Sequence, residues 1–182
     1  MSGDTQFGEI VLLAGPPGAG KTTVGRLAAT IGPGKQAFIE GDLFWRFFVG
    51  TPEQPDLGPT LDKAKILIKA MMLAAIPYAR GGYRVFTDFT VGPWAFAGFR
   101  PWLKDTPFSY IVLCPDQSTC ARRAAARPEG AMPDYAPYRD LHTAFCNLGP
   151  LERHAIRDNE ATAEILAARI YEGLAKGTFR VA

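Results

Sequence analysis

Short apolar runs alternate with amphipathic stretches along most of this chain. Ile10-Val11-Leu12-Leu13-Ala14 is continuously apolar and stops at a glycine cluster, the pattern of a strand covered on both faces. A helix follows from Lys21 to Ile31, with Val24, Leu27, Ala28 and Ile31 on one side, and Gly32-Pro33-Gly34 stops it. Gln36 to Glu40 predicts a second strand ending just before Asp42. Gly50 to Pro59, with three prolines and no strong periodicity, reads as turn-rich. Leu61 to Tyr78 predicts a long helix with Leu61, Ala64, Ile68, Met71 or Met72, and Ala75 at helical spacing, ended by Gly81-Gly82. Tyr83 to Thr87 is a third strand ending at Asp88, and Val91 to Leu103 is aromatic-rich and partly helical. Tyr110 to Cys114 is a fourth strand, ended by Pro115. Then come a helix from Ser118 to Arg127, an irregular stretch from Gly130 to Pro137, and a short helix from Tyr138 to Cys146. His154 to Ile156 is a weak fifth strand. Thr162 to Ala175 is the closing helix, with Ile165, Ala168 and Ile170 or Tyr171 facing inward. Strands alternating with helices predict a single α/β domain with a mostly parallel sheet. Residues 116–150 read as an excursion from that sheet, a lid.

Composition narrows this little but excludes much. At 182 residues and 47% hydrophobic, the chain is one ordinary globular domain. Twenty Lys and Arg against eighteen Asp and Glu leave a net charge of +2, which excludes a polybasic tail or an acidic disordered domain. Cys114, Cys120 and Cys146 form no metal-binding pair and no disulfide framework by spacing, and fit a reducing interior. His142 and His154, the only histidines, are 12 apart and argue against a histidine-built metal site. The histidines and cysteines therefore read as structural. No basic leader and no run of ~18 apolar residues is visible, so a soluble cytoplasmic protein is expected.

The decisive chemistry is Gly15-Pro16-Pro17-Gly18-Ala19-Gly20-Lys21-Thr22, a full match to G-x-x-x-x-G-K-[ST] between a strand and a helix. Glycines let successive backbone N–H groups point inward at phosphate oxygens, and the helix adds its free N-terminal amides and dipole. Lys21 supplies a cation for the β and γ phosphates, Thr22 a hydroxyl for Mg²⁺, and Thr23 a contact to the α phosphate. Carboxyl ends of parallel strands face the ligand crevice, so Asp42 and Asp88 belong beside this loop. Asp42 is assigned as the base that takes the proton of an attacking hydroxyl, and Asp88 as the Mg²⁺-side residue; the reverse assignment, and helix capping by Asp42, remain open. Glu40 is a candidate second substrate contact. Arg122, Arg123 and Arg127 are candidates to close over a triphosphate, with Arg139 as a weaker one. Arg157 and Asp158-Asn159 follow the last strand, where an adenine could lie; Asn159 could equally cap the last helix.

Phe44, Trp45, Phe47 and Phe48 follow Asp42, while Trp94, Phe96, Phe99 and Trp102 follow Asp88. They line a partly apolar acceptor pocket or pack as core. Arg46, Arg84 and Arg100 leave room for one anionic contact. No basic stripe interleaves with the aromatics, so nucleic acid is disfavoured. No Asn-Lys-x-Asp guanine-reading segment is present.

On the phosphate loop through Thr23, the Glu40-Gly41-Asp42 and Thr87-Asp88 strand ends, and Arg122 to Arg127, the sequence resembles the small P-loop kinases of the nucleoside monophosphate kinase-like group. It looks closest to the branch holding chloramphenicol phosphotransferase, zeta-toxin-like and AAA-type kinases. The resemblance implies a P-loop NTPase three-layer sandwich, with a five-stranded parallel sheet and a helical lid. It implies ATP and Mg²⁺, a hydroxyl acceptor, Asp42 as base, and Arg123 or Arg127 as lid residues. The expected activity is phosphoryl transfer to a small molecule by a monomer or homodimer. Two alternatives stand: a nucleotide or nucleotide-sugar kinase of the same fold, and a nucleotide-binding regulatory module with little turnover.

Overall fold

The sheet is built around β1 (Glu9–Ala14), whose residues from Ile10 onward are wholly buried, as a doubly covered strand requires. The computed structural model describes residues 8–49, 60–103, 105–128 and 130–181. β3 (Arg84–Asp88) and β4 (Phe108–Leu113) flank β1, and β2 (Gln36–Glu40) and the two-residue β5 (Ala155–Ile156) lie outermost. The order is β2-β3-β1-β4-β5, and every one of these pairs is parallel.

Alternation along β1 divides the core into two layers. Ile10, Leu12 and Ala14 pack with Leu67, Met71 and Met72 of α2 (Thr60–Arg80), Phe99 of α3 (Phe96–Leu103) and Phe145 of α5 (Arg139–Cys146). Val11 and Leu13 pack with Val24 and Ala28 of α1 (Lys21–Ile31), Cys120 and Ala124 of α4 (Gln117–Ala125), and Leu166 and Ile170 of α6 (Ala163–Ala175). The result is a three-layer α/β sandwich. Between β4 and β5 the chain runs through α4, which packs on the sheet, and α5, and the helical lid of the fold belongs to this connection. No helix among the described residues is long and apolar enough to cross a membrane.

Several sequence expectations need correction. Ile31 is 55% exposed, because the last turn of α1 runs out into the Gly32–Gly34 connection. Ile165 and Ala168 also face outward. The stripe of α6 that reaches the sheet is Leu166, Ala167, Ile170 and Gly173, and Ile165 lies in the first turn with its N–H capped by Thr162. α4 ends at Ala125, where the Ala126 N–H closes on the Arg122 carbonyl, so Arg127 lies beyond the helix. β3 includes Asp88, and β4 runs from Phe108 to Leu113. The turn-rich reading of 50–59 and the side chains of Leu61 and Phe96 lie outside the described residues.

Candidate functional site

The loop from Gly15 to Gly20 leaves the buried end of β1 and runs into α1. Its glycines have φ values of 142° at Gly15, 79° at Gly18 and 92° at Gly20, all in the region that side chains disfavour. A Cβ on Gly18 would also collide with the Cys120 carbonyl of α4, so the loop is seated directly on that helix. Around Gly20 the opposite holds: nothing lies within 4 Å of where a Cβ would be, which leaves an open cradle at the start of α1. No side chain caps α1, and no acidic residue sits in its first turn. Its free N–H groups and positive dipole end are therefore available to an anion.

Lys21 folds back on the loop, its Nζ donating to the Pro16 carbonyl at 3.0 Å. Burial lowers its pKa from the ordinary lysine value. The Asp42 and Asp88 carboxylates oppose that shift, and Arg127 adds to it. Burial disfavours the charged Lys21 ammonium, and an anionic phosphate brought against it would offset that cost.

Asp88 ends β3, in register with Leu13 of β1 and Glu40 of β2, and is 2% exposed. Its Oδ2 accepts from the Thr22 hydroxyl, and its Oδ1 accepts from the Gly41 N–H at 3.1 Å. Burial raises its pKa, while the Thr22 hydrogen bond, Lys21 and Gly41 pull the other way. One hydroxyl and one carboxylate beside a phosphate cradle are hard oxygen donors, a set that fits Mg²⁺ held jointly with substrate phosphates. Asp42 lies one residue past Gly41, in the 3-10 turn Gly41–Phe47, and is exposed. It does not act as a cap, because that turn starts from Glu40 with no side-chain capping bond. Glu40 itself is held by Arg26 at 2.6 Å.

The arginines separate. Arg127 is half-buried and close enough for its charge to act on Lys21 and Tyr135. Arg123 donates to the Asn159 carbonyl at 3.0 Å, and Arg122 is exposed near Asp116. Asn159 does not cap α6, a role taken by Thr162. Its side chain pairs with Asp116, accepting from the Asp116 N–H at 2.7 Å and donating to Asp116 Oδ2 at 2.6 Å. It thus ties the β5–α6 connection to the start of α4. Arg157 grips both oxygens of Glu152. Arg139 lines a surface cavity of about 530 Å³ with Ser118, Asp134 and Tyr135. Arg84 must be removed from the acceptor rim: it begins β3, at the opposite end from Asp88, and pairs with Glu9 at 3.2 Å.

The aromatic residues also divide. Phe99 is core, and Phe44, Trp45 and Trp102 are half-buried against it. Phe47, Phe48 and Trp94 are exposed by 75%, 42% and 55%, respectively. Three further features had no signal in the sequence. The Gly41 amide holds Asp88. The Tyr135 hydroxyl, buried in the lid, donates to the Pro17 carbonyl of the phosphate loop at 2.9 Å across 118 residues of chain. Cys114, His142 and Cys146, which spacing alone left unrelated, come together in space.

The fold recurs in known proteins. Solved structures with the same fold include the Mycobacterium tuberculosis APS kinase CysC in complex with AMPPNP and APS, at 17% identity and TM-score 0.69, covering 93% of this chain and 98% of that one. The Deinococcus radiodurans tunicamycin resistance protein is 16% identical with TM-score 0.64, covering 96% of this chain and 99% of that one. A sugar kinase from Janibacter sp. HTCC2649 is 17% identical with TM-score 0.64, covering 93% and 95%. At these identities the likeness is one of fold. None of the curated proteins compared matches the chain. A model of an AAA domain family, AAA_33, matches residues 10–144. Because that match spans well over half its length, the chain belongs to the AAA_33 family of AAA domains.

Proposed function

We propose that this protein is an ATP-dependent kinase that phosphorylates a hydroxyl of a small molecule. The observation that carries the reading is the convergence of Lys21, Thr22 and Asp88 under the open Gly20 cradle, with Asp42 beside them at the same sheet edge. The loop amides and Lys21 bind the β and γ phosphates. Thr22 and Asp88 would hold Mg²⁺, which when bound neutralises phosphate charge. Asp42 accepts the proton of the acceptor hydroxyl and holds its oxygen in line with the γ phosphorus. A bond forms between that oxygen and phosphorus, the bond from phosphorus to the β–γ bridging oxygen breaks, and ADP leaves. Arg127 sits where it can balance charge on the transferring group, and Arg123 and Arg122 join it on lid closure. Asn159 holds the segment beside the adenine end. Water is excluded when the lid closes, which protects against hydrolysis.

On the acceptor side, the likeness to the APS kinase and the sugar kinase supports a nucleotide or nucleotide-sugar acceptor more than a broadly apolar one. The exposed Phe47, Phe48 and Trp94 suit stacking on a flat base or sugar face. The nearer kinship proposed is with chloramphenicol phosphotransferase-like and zeta-toxin-like kinases, on the resemblance of the phosphate loop through Thr23. The test is a screen of nucleosides, nucleotides, nucleotide sugars and sugars with γ-labelled ATP and Mg²⁺. Label should move onto a nucleotide or sugar hydroxyl. ATP binding with no transfer to any class would favour the regulatory-module reading instead.

A further inference from the structure

Three soft ligands meet where β4 ends. Cys114 follows β4 directly, and α5 brings His142 and Cys146, one helical turn apart, against it. The sulfurs of Cys114 and Cys146 are 3.5 Å apart, and Cys146 Sγ is 3.6 Å from His142 Nδ1. All three ligand atoms lie within 4.8 Å of one another. A tetrahedral zinc, with Zn–S of about 2.3 Å and Zn–N of about 2.0–2.1 Å, sets S···S near ~3.8 Å and S···N near ~3.5 Å. Two edges of that tetrahedron are therefore already present to within a few tenths of an ångström.

The imidazole also has the proton arrangement that a metal requires. Its Nε2 is 2.9 Å from the Pro115 carbonyl oxygen, which can only accept, so Nε2 carries the proton and the Nδ1 lone pair faces Cys146 Sγ. Metal-ligating histidines are oriented by this kind of backbone tie on the far nitrogen. Cys114 and His142 are buried, whereas Cys146 is exposed, so the cluster is open on one side for metal entry and a fourth ligand. Arg157 donates to the Cys146 carbonyl at 3.0 Å, and its charge favours thiolate at Cys114. Burial, with the Cys146 sulfur, pushes the Cys114 thiol up to about 12, so metal must displace its proton on binding. Cys120 takes no part, since it packs on the opposite face of the sheet.

We propose that Cys114, His142 and Cys146 form a three-ligand site for Zn²⁺, separate from the Thr22–Asp88 pair. Two thiolates and an imidazole select zinc over the hard cation that the oxygen donors suit, and three protein ligands leave one position open. Bound metal would pin α5 to the end of β4, and with it one end of the lid segment.

The test uses full-length protein, stripped with chelator and fully reduced. Titration with Co²⁺ should give one equivalent of tetrahedral thiolate-ligated cobalt, read by d–d and thiolate-to-metal charge-transfer absorption, and Zn²⁺ should bleach it. Cys146→Ser and Cys146→Ala should both lose at least half of the charge-transfer intensity, since only the Cys114 thiolate remains, and bind Zn²⁺ at least ten-fold more weakly. The exposed position of Cys146 lets both variants fold, as an unchanged circular dichroism spectrum should show. Zn²⁺ should raise the melting temperature of the parent protein and leave both variants unmoved. Absence of the thiolate–cobalt spectrum in the parent protein, or its persistence at parental intensity and affinity in both folded variants, would overturn the proposal.

Discussion

Asp88 and Lys21 each hold a charge that folding alone does not favour. Burial lowers the pKa of Lys21 and raises that of Asp88, so both charged forms are less comfortable in the ligand-free protein than in an unfolded chain. For Asp88 the consequence for stability has a definite sign. A raised native pKa means that the folded state binds the proton more tightly than the unfolded state. The contribution of Asp88 to stability is thus full below its ordinary value of 3.8 and is lost as pH rises through the raised value. Asp88→Asn, which mimics the neutral form, should gain stability relative to the parent near pH 7, and the gap should close as pH falls toward 4. Urea melts across that range, without nucleotide, check this; a gap that widens on acidification would contradict it. Lys21, Thr22 and Asp88 were readable because a spaced motif and a strand end each carry a local signal. The Gly41 amide and the Tyr135 hydroxyl were not, since each depends on which distant backbone atom the fold sets opposite it.

The phosphate loop is shaped by its neighbours as much as by its own glycines. The backbone of α4 at Cys120 closes one side at Gly18, and the Tyr135 hydroxyl holds the Pro17 carbonyl from the lid segment. That single bond couples the lid to the loop. Tyr135→Phe should cost about 0.5–1.5 kcal/mol of stability in urea unfolding, the usual net worth of one hydrogen bond, and should weaken ATP binding with little change in the maximal transfer rate. Unchanged stability and affinity would mean that the contact does not matter. Apolar runs and helical periodicity located the five strands and the longer helices, because buried strands read as apolar runs and buried helix stripes repeat at 3.6 residues; the 3-10 turns at Gly41–Phe47 and Gly149–His154 carried no such pattern. Periodicity also failed at helix ends. Ile31 and Ile165 fit the repeat yet sit in terminal turns, where the stripe no longer faces the sheet.

At the scale of the molecule, the strand order decides what can meet. β1 and β3 are neighbours and β2 is next, so the ends of all three strands deliver Gly15, Asp88 and Asp42 to one edge. The predicted strand ends already brought Asp42 and Asp88 beside the phosphate loop, whereas Arg84, read as a possible acceptor contact, lies at the far edge because it starts β3. What no pattern carried was the meeting of Cys114 with α5, because it depends on how the lid packs. ATP with Mg²⁺ binds only the folded state, so it should raise the melting temperature by roughly 5–10 °C at about 100 times its Kd. Lys21→Ala should remove from about half to most of that shift at the same ATP concentration by weakening binding roughly 10- to 100-fold, since a charge-assisted phosphate contact is lost. The decisive measurement is single-turnover transfer of the γ-phosphoryl group from labelled ATP to the acceptor found by screening, comparing the parent protein with Asp42→Asn at saturating ATP. The proposed mechanism predicts transfer by the parent, a drop of roughly 10²- to 10⁴-fold in the variant, and ATP affinity changed little. Transfer by Asp42→Asn at the parental rate would contradict it.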